Sequence, residues 1–278
     1  VLQSLTTFTL DLSGRDNVGD VELTGMAQGL GALQNLATIS LNFQRCPNVG
    51  DAGFTGFAQG LRVLQNLTTI TVDLSFNDNI GDVGLAALGF TLDLSGRDNV
   101  GDVELTGMAQ GLGALQGLGA LQNLATISLN FQHCYKVRDP ELTGLAQGLG
   151  ALQNLATISL NFQHCYKVRD PELTGLAQGL GALQNLTRIT LKCQRCKKVG
   201  DAGLTDLARG LDVLQNLTQI DLNFSGCGNV RAAGLTALGQ GLGALQNLTR
   251  ITLSYNHSAF LWVRRRRRCR IDWLGPGA

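Results

Sequence analysis

The chain has 278 residues, an apolar content of 44%, an aromatic content of 5% and a formal net charge of +1. This much apolar sequence excludes a disordered chain. No apolar run reaches the ~18–20 residues that a membrane-spanning helix needs. Residues 1–120 contain 4 basic and 12 acidic side chains, whereas residues 121–278 contain 18 basic and 9 acidic ones. This asymmetry predicts steering of charged partners or head-to-tail self-association.

The sequence begins at Val1 in the middle of its own pattern, without Met and without a secretory signal peptide. We therefore expect a fragment of a longer protein.

A repeat of 31 residues accounts for most of the chain. Residues 121–151 and 152–182 are identical, and residues 33–63, 183–213 and 214–244 follow the same template. Residues 8–34 recur unchanged at 90–116. Positions below are counted from the first Leu of each unit, so that Leu152 is position 1 of its unit.

Each unit predicts a strand, a turn and a helix. Apolar residues at positions 7, 9 and 11 alternate with polar ones, as in a strand with one buried face. Apolar residues at positions 22, 25, 26 and 29 have the spacing of a helix stripe. Nine strands are predicted, entered at Phe8, Ile39, Ile70, Phe90, Ile127, Ile158, Ile189, Ile220 and Ile251.

Two copies of Arg-Asp-Pro-Glu predict where the helices begin. Asp139 and Asp170 suit the N-cap, and Pro140 and Pro171 suit the first helical position. Glu141 and Glu172 would then lie near the positive end of the helix dipole.

Two units depart from the period. Ile70 and Phe90 are 20 residues apart, so the third unit should lose most of its helix. Phe90 and Ile127 are 37 residues apart, which adds six residues to the fourth unit. Since 20 residues is near the minimum for such repeats, we expect the stacking of units to continue through both.

The pattern LxxLxxLxLxxC/NxxI followed by GDxGLxxLA resembles a leucine-rich repeat, closest to the ribonuclease-inhibitor-like and cysteine-containing subclasses. The resemblance covers residues 1–258. Residues 259–278 are expected to be a non-repeat basic tail, which either covers the last repeat or is disordered. It implies an α/β solenoid shaped as a horseshoe, with about nine repeats, a parallel sheet on the concave face and helices on the convex face. It also implies protein binding rather than catalysis.

Five of the seven cysteines (Cys46, Cys134, Cys165, Cys196 and Cys227) share position 14. In this family such a column faces inward and satisfies the backbone of the turn. A metal or redox role remains an alternative, although structural zinc sites usually pair two C-x-x-C knuckles and only Cys193–Cys196 has this spacing. Unpaired inward thiols favour a reducing compartment, which predicts an intracellular and most simply cytoplasmic protein.

His133, His164 and His257 share position 13, beside the inward cysteines. They should face outward, and His133, Tyr135, His164 and Tyr166 should then form a patch on the rim, called the rim patch below. The two histidines could bind a metal weakly as a pair. No cofactor is expected, and three equivalent histidines give no catalytic arrangement of Ser, His and Asp or of Cys and His.

The outward strand positions are the predicted partner-binding face, because their side chains are not needed to pack the core. The candidates are Asp73, Asp93, Asn130, Gln132, Asn161, Gln163, Arg188, Lys192, Arg195 and Arg250. The equally simple alternative is that these residues only form a polar surface that keeps a recently duplicated repeat soluble, and that no ligand has been selected for it. A further alternative is binding of nucleic acid or acidic membrane through the basic C-terminal third and Arg264–Arg268.

Overall fold

The computed structural model describes residues 4–61, 63–77, 91–95, 124–137, 141–255 and 270–273. Within these residues ten parallel strands form one sheet, and their spatial order is their order in the chain. The strands are β1 (Thr7–Asp11), β2 (Thr38–Asn42), β3 (Thr69–Asp73), β4 (Thr91–Asp93), β5 (Thr126–Asn130), β6 (Thr157–Asn161), β7 (Arg188–Lys192), β8 (Gln219–Asn223), β9 (Arg250–Ser254) and β10 (Arg270–Trp273).

The described helices connect consecutive strands and pack side by side. They are α1 (Asp20–Gly31), α2 (Asp51–Leu61), α3 (Glu141–Gly150), α4 (Asp170–Gly181), α5 (Asp201–Asp212) and α6 (Ala232–Ala244). Helix α1 packs on α2, and α3 to α6 pack in sequence. The chain is therefore an α/β protein in which strand–helix units repeat along one direction, as the periodicity predicts.

The strands pair in phase with the repeat. Ile127 lies opposite Ile158, and Ile158 lies opposite Ile189, in each case 31 residues later. Strand β4 pairs with both β3 and β5, so the sheet continues through the short and the long unit as predicted. The predicted loss of a helix in the third unit and the six added residues of the fourth lie outside the described residues.

Strand β10 lies in the segment that the sequence assigned to a non-repeat tail. It pairs in parallel with β9, with Ile271 opposite Ile251. No strand was predicted there, because the tail abandons the template spacing. The structure therefore extends the sheet by one strand beyond the predicted units.

The core lies between the sheet and the helices, and it contains the predicted apolar positions. In the unit that begins at Leu152, the residues at positions 4, 7, 9, 11, 14, 17, 22, 25, 26 and 29 are all buried: Leu155, Ile158, Leu160, Phe162, Cys165, Val168, Leu173, Leu176, Ala177 and Leu180. Removing this surface from water is the main stabilising contribution to each unit. A single unit cannot bury both of its sides, so neighbouring units complete one another's core.

The predicted N-cap role of Asp170 is wrong. Helix α4 begins at Asp170 itself, Arg169 is its N-cap, and Pro171 is the second helical residue. The Asp170 carboxylate instead accepts a hydrogen bond from the backbone N–H of Gly200 in the next unit, at 2.6 Å. The buried Glu172 carboxylate accepts the N–H of Arg169 at 3.0 Å. Asp139 and Pro140 lie outside the described residues.

Candidate functional site

Strands β1 to β3 and β5 to β8 leave the sheet through the same four-residue turn. In one copy the backbone N–H of Cys134 donates to the carbonyl oxygen of Phe131 at 3.0 Å. The third residue of the turn, at position 13, has φ between 55° and 77° in Gly14, Arg45, Phe76, His133, His164, Arg195 and Gly226. A left-handed residue at this place is typical of type II turns. The sequence analysis missed this conformation, although glycine at position 13 in three units was a signal for it.

The cysteine column is structural, as predicted. Cys165 is fully buried, and its Sγ donates to the carbonyl oxygen of Phe131 in the preceding unit at 3.0 Å. The same bond joins Cys46 to Leu12, Cys134 to Leu94, Cys196 to Phe162 and Cys227 to Cys193, at 3.0–3.1 Å. Each thiol therefore gives a second donor to a buried carbonyl; those of Leu12, Phe131, Phe162 and Cys193 already accept the backbone N–H of their own turn.

Asn77 replaces cysteine in the column and keeps its function. Its Nδ2 donates to the carbonyl oxygen of Phe43 in the preceding unit, and its Oδ1 accepts the N–H of Cys46, both at 2.6 Å. A side chain that can donate a hydrogen bond is thus the requirement at position 14.

Burial also sets the protonation state of these thiols. It raises the pKa of Cys165 and of Cys227 well above the ordinary value. Metal ligands and nucleophiles need the thiolate, so these side chains are held in the form that suits a hydrogen-bond donor. In the part of the chain that the structure describes, no group of three or more His, Cys, Asp or Glu side chains is placed to hold a metal ion.

The rim patch is brought together as predicted. The His133 and His164 rings stack with centroids 4.5 Å apart and planes at 12°, and the Tyr135 and Tyr166 rings stack at 5.6 Å and 8°. Each histidine is tied to the tyrosine of its own unit, with His133 Nδ1 to Tyr135 Oη at 3.1 Å and the equivalent pair at 3.0 Å. The four rings therefore form two parallel columns cross-linked by hydrogen bonds.

In the unit that begins at residue 183, positively charged side chains take the places of the histidine and the tyrosine. Arg195 follows the histidines at position 13, and the Lys197 ammonium lies 5.8 Å from the centroid of the Tyr166 ring at position 15. Loss of hydration lowers the pKa of His164 below its ordinary value, and the charges of His133 and Arg195 lower it further. The histidines and the cysteines beside them face opposite ways, so the structure does not bring them to a common metal position.

The polar face of the sheet consists of the outward side chains at positions 6, 8 and 10 of the strands, half-buried or exposed between buried neighbours. The prediction that none of these side chains stabilises the fold is wrong at position 10. The Oδ1 atoms of Asp73, Asn130 and Asn161 each accept a backbone N–H two residues later at 2.9–3.1 Å. Two of these N–H groups belong to the predicted site residues Gln132 and Gln163, which lie half-buried in the turn.

Three predicted site residues lie on strands β7 and β9 at the C-terminal part of the polar face. Arg188 lies opposite Gln219, which lies opposite Arg250, and Lys192 lies on the same strand as Arg188. Asp221 on β8 lies among them, and the sequence analysis did not single it out. Its burial raises the pKa of its carboxyl group, and the charge of Lys192 opposes that rise. The only sequence feature that could have placed Asp221 on the polar face was its outward position 8.

The remaining predicted residues lie off the polar face, are described by their backbone alone, or lie outside the described residues. Arg195 belongs to the position-13 column beside His164 and not to the polar face, because the chain has already turned out of β7. The backbone of Asp93 continues the position-10 row between Asp73 and Asn130. His257 and Arg264–Arg268 lie outside the described residues.

Comparison with known proteins adds no relative. No protein-family model matches the chain, and no curated protein matches it either. Among the described helices none is long and apolar enough to cross a membrane.

Proposed function

We propose that the chain is a leucine-rich-repeat solenoid of the ribonuclease-inhibitor-like, cysteine-containing type, and that it is a protein-binding scaffold within a larger protein. About nine units of 31 residues would curve into a horseshoe with the polar face on its concave side. The observation that carries this proposal is the polar face itself, whose strand positions pair in register from β1 to β9.

The charge on this face changes along the rows. Position 10 carries Asp11 and Asp73 toward the N-terminus and Lys192 on β7, while position 6 carries Thr on β1 to β3 and Arg188 and Arg250 on β7 and β9. A surface with separated acidic and basic ends favours one orientation of a partner and speeds its association. The position-6 and position-8 side chains lie outside the turn, so they can serve a partner without loss of the fold.

The proposed role is not enzymatic. The buried thiols are held protonated, and the outward histidines are bound to tyrosine rather than to a carboxylate. Neither arrangement activates a nucleophile.

We place the protein inside the cell, most simply in the cytoplasm. Cys46, Cys134, Cys165, Cys193, Cys196 and Cys227 are free thiols and buried, which suits a reducing compartment. The asparagines of several Asn-Leu-Thr sequences support this, since the Nδ2 atoms of Asn66, Asn185, Asn216 and Asn247 donate to the preceding unit at 2.8–2.9 Å. A glycan on Nδ2 would disrupt that bond.

The repeat itself supplies the variants that test the polar face. Changing Arg188→Thr, Lys192→Asn and Arg250→Thr installs residues that strand β6 already carries at these positions, so the fold should persist. Arg209→Gln is the control, because most other units carry Gln at this helical position. Far-UV circular dichroism would verify that all variants are folded.

Proteins captured from cell extract by the wild type and by Arg209→Gln, and lost with the triple variant, would support the proposal once one of them is shown to bind in purified form. Equal capture of every partner by all three chains would contradict it. Sedimentation at low and high salt would test the predicted head-to-tail self-association. The alternative role of Arg264–Arg268 in binding nucleic acid or acidic membrane stays a prediction.

A further inference from the structure

The rim patch and the cations around it form a linear basic edge, separate from the polar face. It comprises the rim patch itself together with Lys136, Lys167, Arg195, Lys197 and Lys198. Lys136, Lys167 and Lys198 share position 16, and all three are exposed. Because neighbouring strands lie ~4.8 Å apart, and the rings of successive units stack at 4.5 and 5.6 Å, the basic edge is a row of groups with an almost constant step.

Between described residues, no ion pair neutralises the lysines of this edge. Residues 132–137, 163–168 and 194–199 contain no Asp or Glu. In the described residues the ion pairs are Arg169–Glu172 and Arg209–Asp206, and neither includes a lysine of the basic edge. A row of free cations at regular spacing is complementary to a chain of regularly spaced negative charges.

Duplication alone does not account for the edge. The units beginning at residues 121 and 152 are identical, so their histidines, tyrosines and lysines could simply have been copied. The unit beginning at residue 183 has a different sequence in the turn, yet Arg195, Lys197 and Lys198 continue all three columns with positive side chains. The charge therefore persists where the sequence does not.

The aromatic side chains indicate which polyanion fits. Tyr135 and Tyr166 are 41% and 40% exposed, and their hydrogen bonds to histidine hold the rings in fixed orientations at no further entropy cost. Exposed aromatic rings beside a basic track are the pattern by which proteins bind single-stranded nucleic acid, with bases against the rings and phosphates against the cations. An acidic peptide would use the cations alone, and in a duplex the bases are already stacked and paired.

We propose that this basic edge binds single-stranded nucleic acid. About three phosphates would lie along Lys136, Lys167 and Lys198. Unpaired bases would pack against the exposed edges of Tyr135 and Tyr166, because the faces of the Tyr166 ring already meet Tyr135 and Lys197. Lys197 would meet a phosphate beside the base at the Tyr166 edge. This inference uses a surface other than the polar face, so it stands independently of the proposed protein-binding function.

The test uses the full chain with Arg264–Arg268 each changed to Ser, which removes the polyarginine tail as a competing site. In this background Lys136→Asn, Lys167→Asn and Lys198→Asn remove three charges and install the residue found at position 16 as Asn48 and Asn229. Arg188→Thr, Lys192→Asn and Arg250→Thr remove three charges from the polar face instead. Fluorescence anisotropy of labelled 12-nucleotide oligo-U would give the Kd between 50 and 200 mM salt.

We expect the lysine triple variant to reduce the slope of log Kd against log salt by about 2, since each phosphate contact on a single strand contributes ~0.7. At 0.15 M salt this corresponds to an affinity loss on the order of 50-fold. The polar-face triple variant should change the affinity much less. Tyr135→Ala with Tyr166→Ala should weaken binding while leaving the salt slope unchanged, because bases and not phosphates contact the rings.

Three results would overturn the inference. The first is an unchanged Kd and salt slope in the lysine triple variant. The second is an equal loss in both triple variants, which would indicate a general effect of net charge. The third is equal binding of a poly-glutamate peptide or of a 12-base-pair duplex in place of oligo-U, since the edge would then be a site for acidic protein or would select charge alone.

Discussion

Gly60 tests how closely the helices of neighbouring units approach. A Cβ atom added to Gly60 in α2 would lie 2.5 Å from the carbonyl oxygen and 2.6 Å from the carbonyl carbon of Ala27 in α1. Ordinary van der Waals contact begins near 3.4 Å, so Gly60→Ala would force the two helices apart by roughly 1 Å at this point. The obstructing atoms belong to the backbone and cannot rotate away.

The expected net effect of Gly60→Ala is a destabilisation of about 1–2 kcal/mol. Overpacking of this kind costs about 1–3 kcal/mol. Replacing Gly by Ala within a helix gains at most ~1 kcal/mol, and less here because Gly60 is the penultimate described residue of α2. The packing cost therefore exceeds the gain in helix propensity.

Gly29→Ala is the matched control, because Gly29 occupies the same template position in α1 and an added Cβ there has no described atom within 4 Å. We expect this variant to be unchanged or more stable by up to ~1 kcal/mol. Urea unfolding followed by far-UV circular dichroism would give the midpoint of each chain at one pH and temperature. A Gly60→Ala chain that unfolds at the wild-type midpoint or above it would refute the described helix spacing.

Three further outcomes can be measured by the same unfolding assay. Cys165→Ala should cost about 1 kcal/mol because it removes one of the two hydrogen bonds that the buried Phe131 carbonyl accepts, whereas Cys165→Asn should recover most of this loss; equal losses would argue against the hydrogen-bonding role. Gly226→Ala should cost about 1–2 kcal/mol, since its φ is +77°, whereas Gly228→Ala, where an added Cβ is unobstructed, should be nearly neutral; no difference between the two would contradict the left-handed turn. The pKa of His164 lies below its unfolded value of about 6.5, so its contribution to stability is full above that value and falls as the pH drops through it. His164→Gly should therefore lose less stability than the wild type between pH 7.5 and pH 5.5, and an identical loss would show that His164 is not responsible.

The sequence by itself determined the elements and the core. The alternation at positions 7, 9 and 11 predicted where β1 to β9 begin, and the helix stripe predicted which residues are buried, as the unit from Leu155 to Leu180 shows. Both follow from the geometry of an isolated strand or helix, in which one face must be removed from water. The resemblance to a leucine-rich repeat predicted that the cysteine column is buried, and the place of the histidines beside that column predicted that they meet on the rim.

Only the tertiary structure decided which side chain bonds to which backbone group. Asp170 has the sequence context of an N-cap, yet its carboxylate holds Gly200 of the next unit. Asn130 and Asn161 have the alternation of free surface residues, yet they hold the turns that follow their strands. Gly60 has a low helix propensity, yet the close approach of the Ala27 backbone leaves no room for a side chain there. The contacts of Asp170 and Gly60 join residues that are 30 and 33 positions apart, so the stacking of units and not local propensity sets their distance. The turns held by Asn130 and Asn161 lie within one unit, but the alternating pattern fits a continued extended strand equally well. That is why a pattern read within one unit could not reveal them.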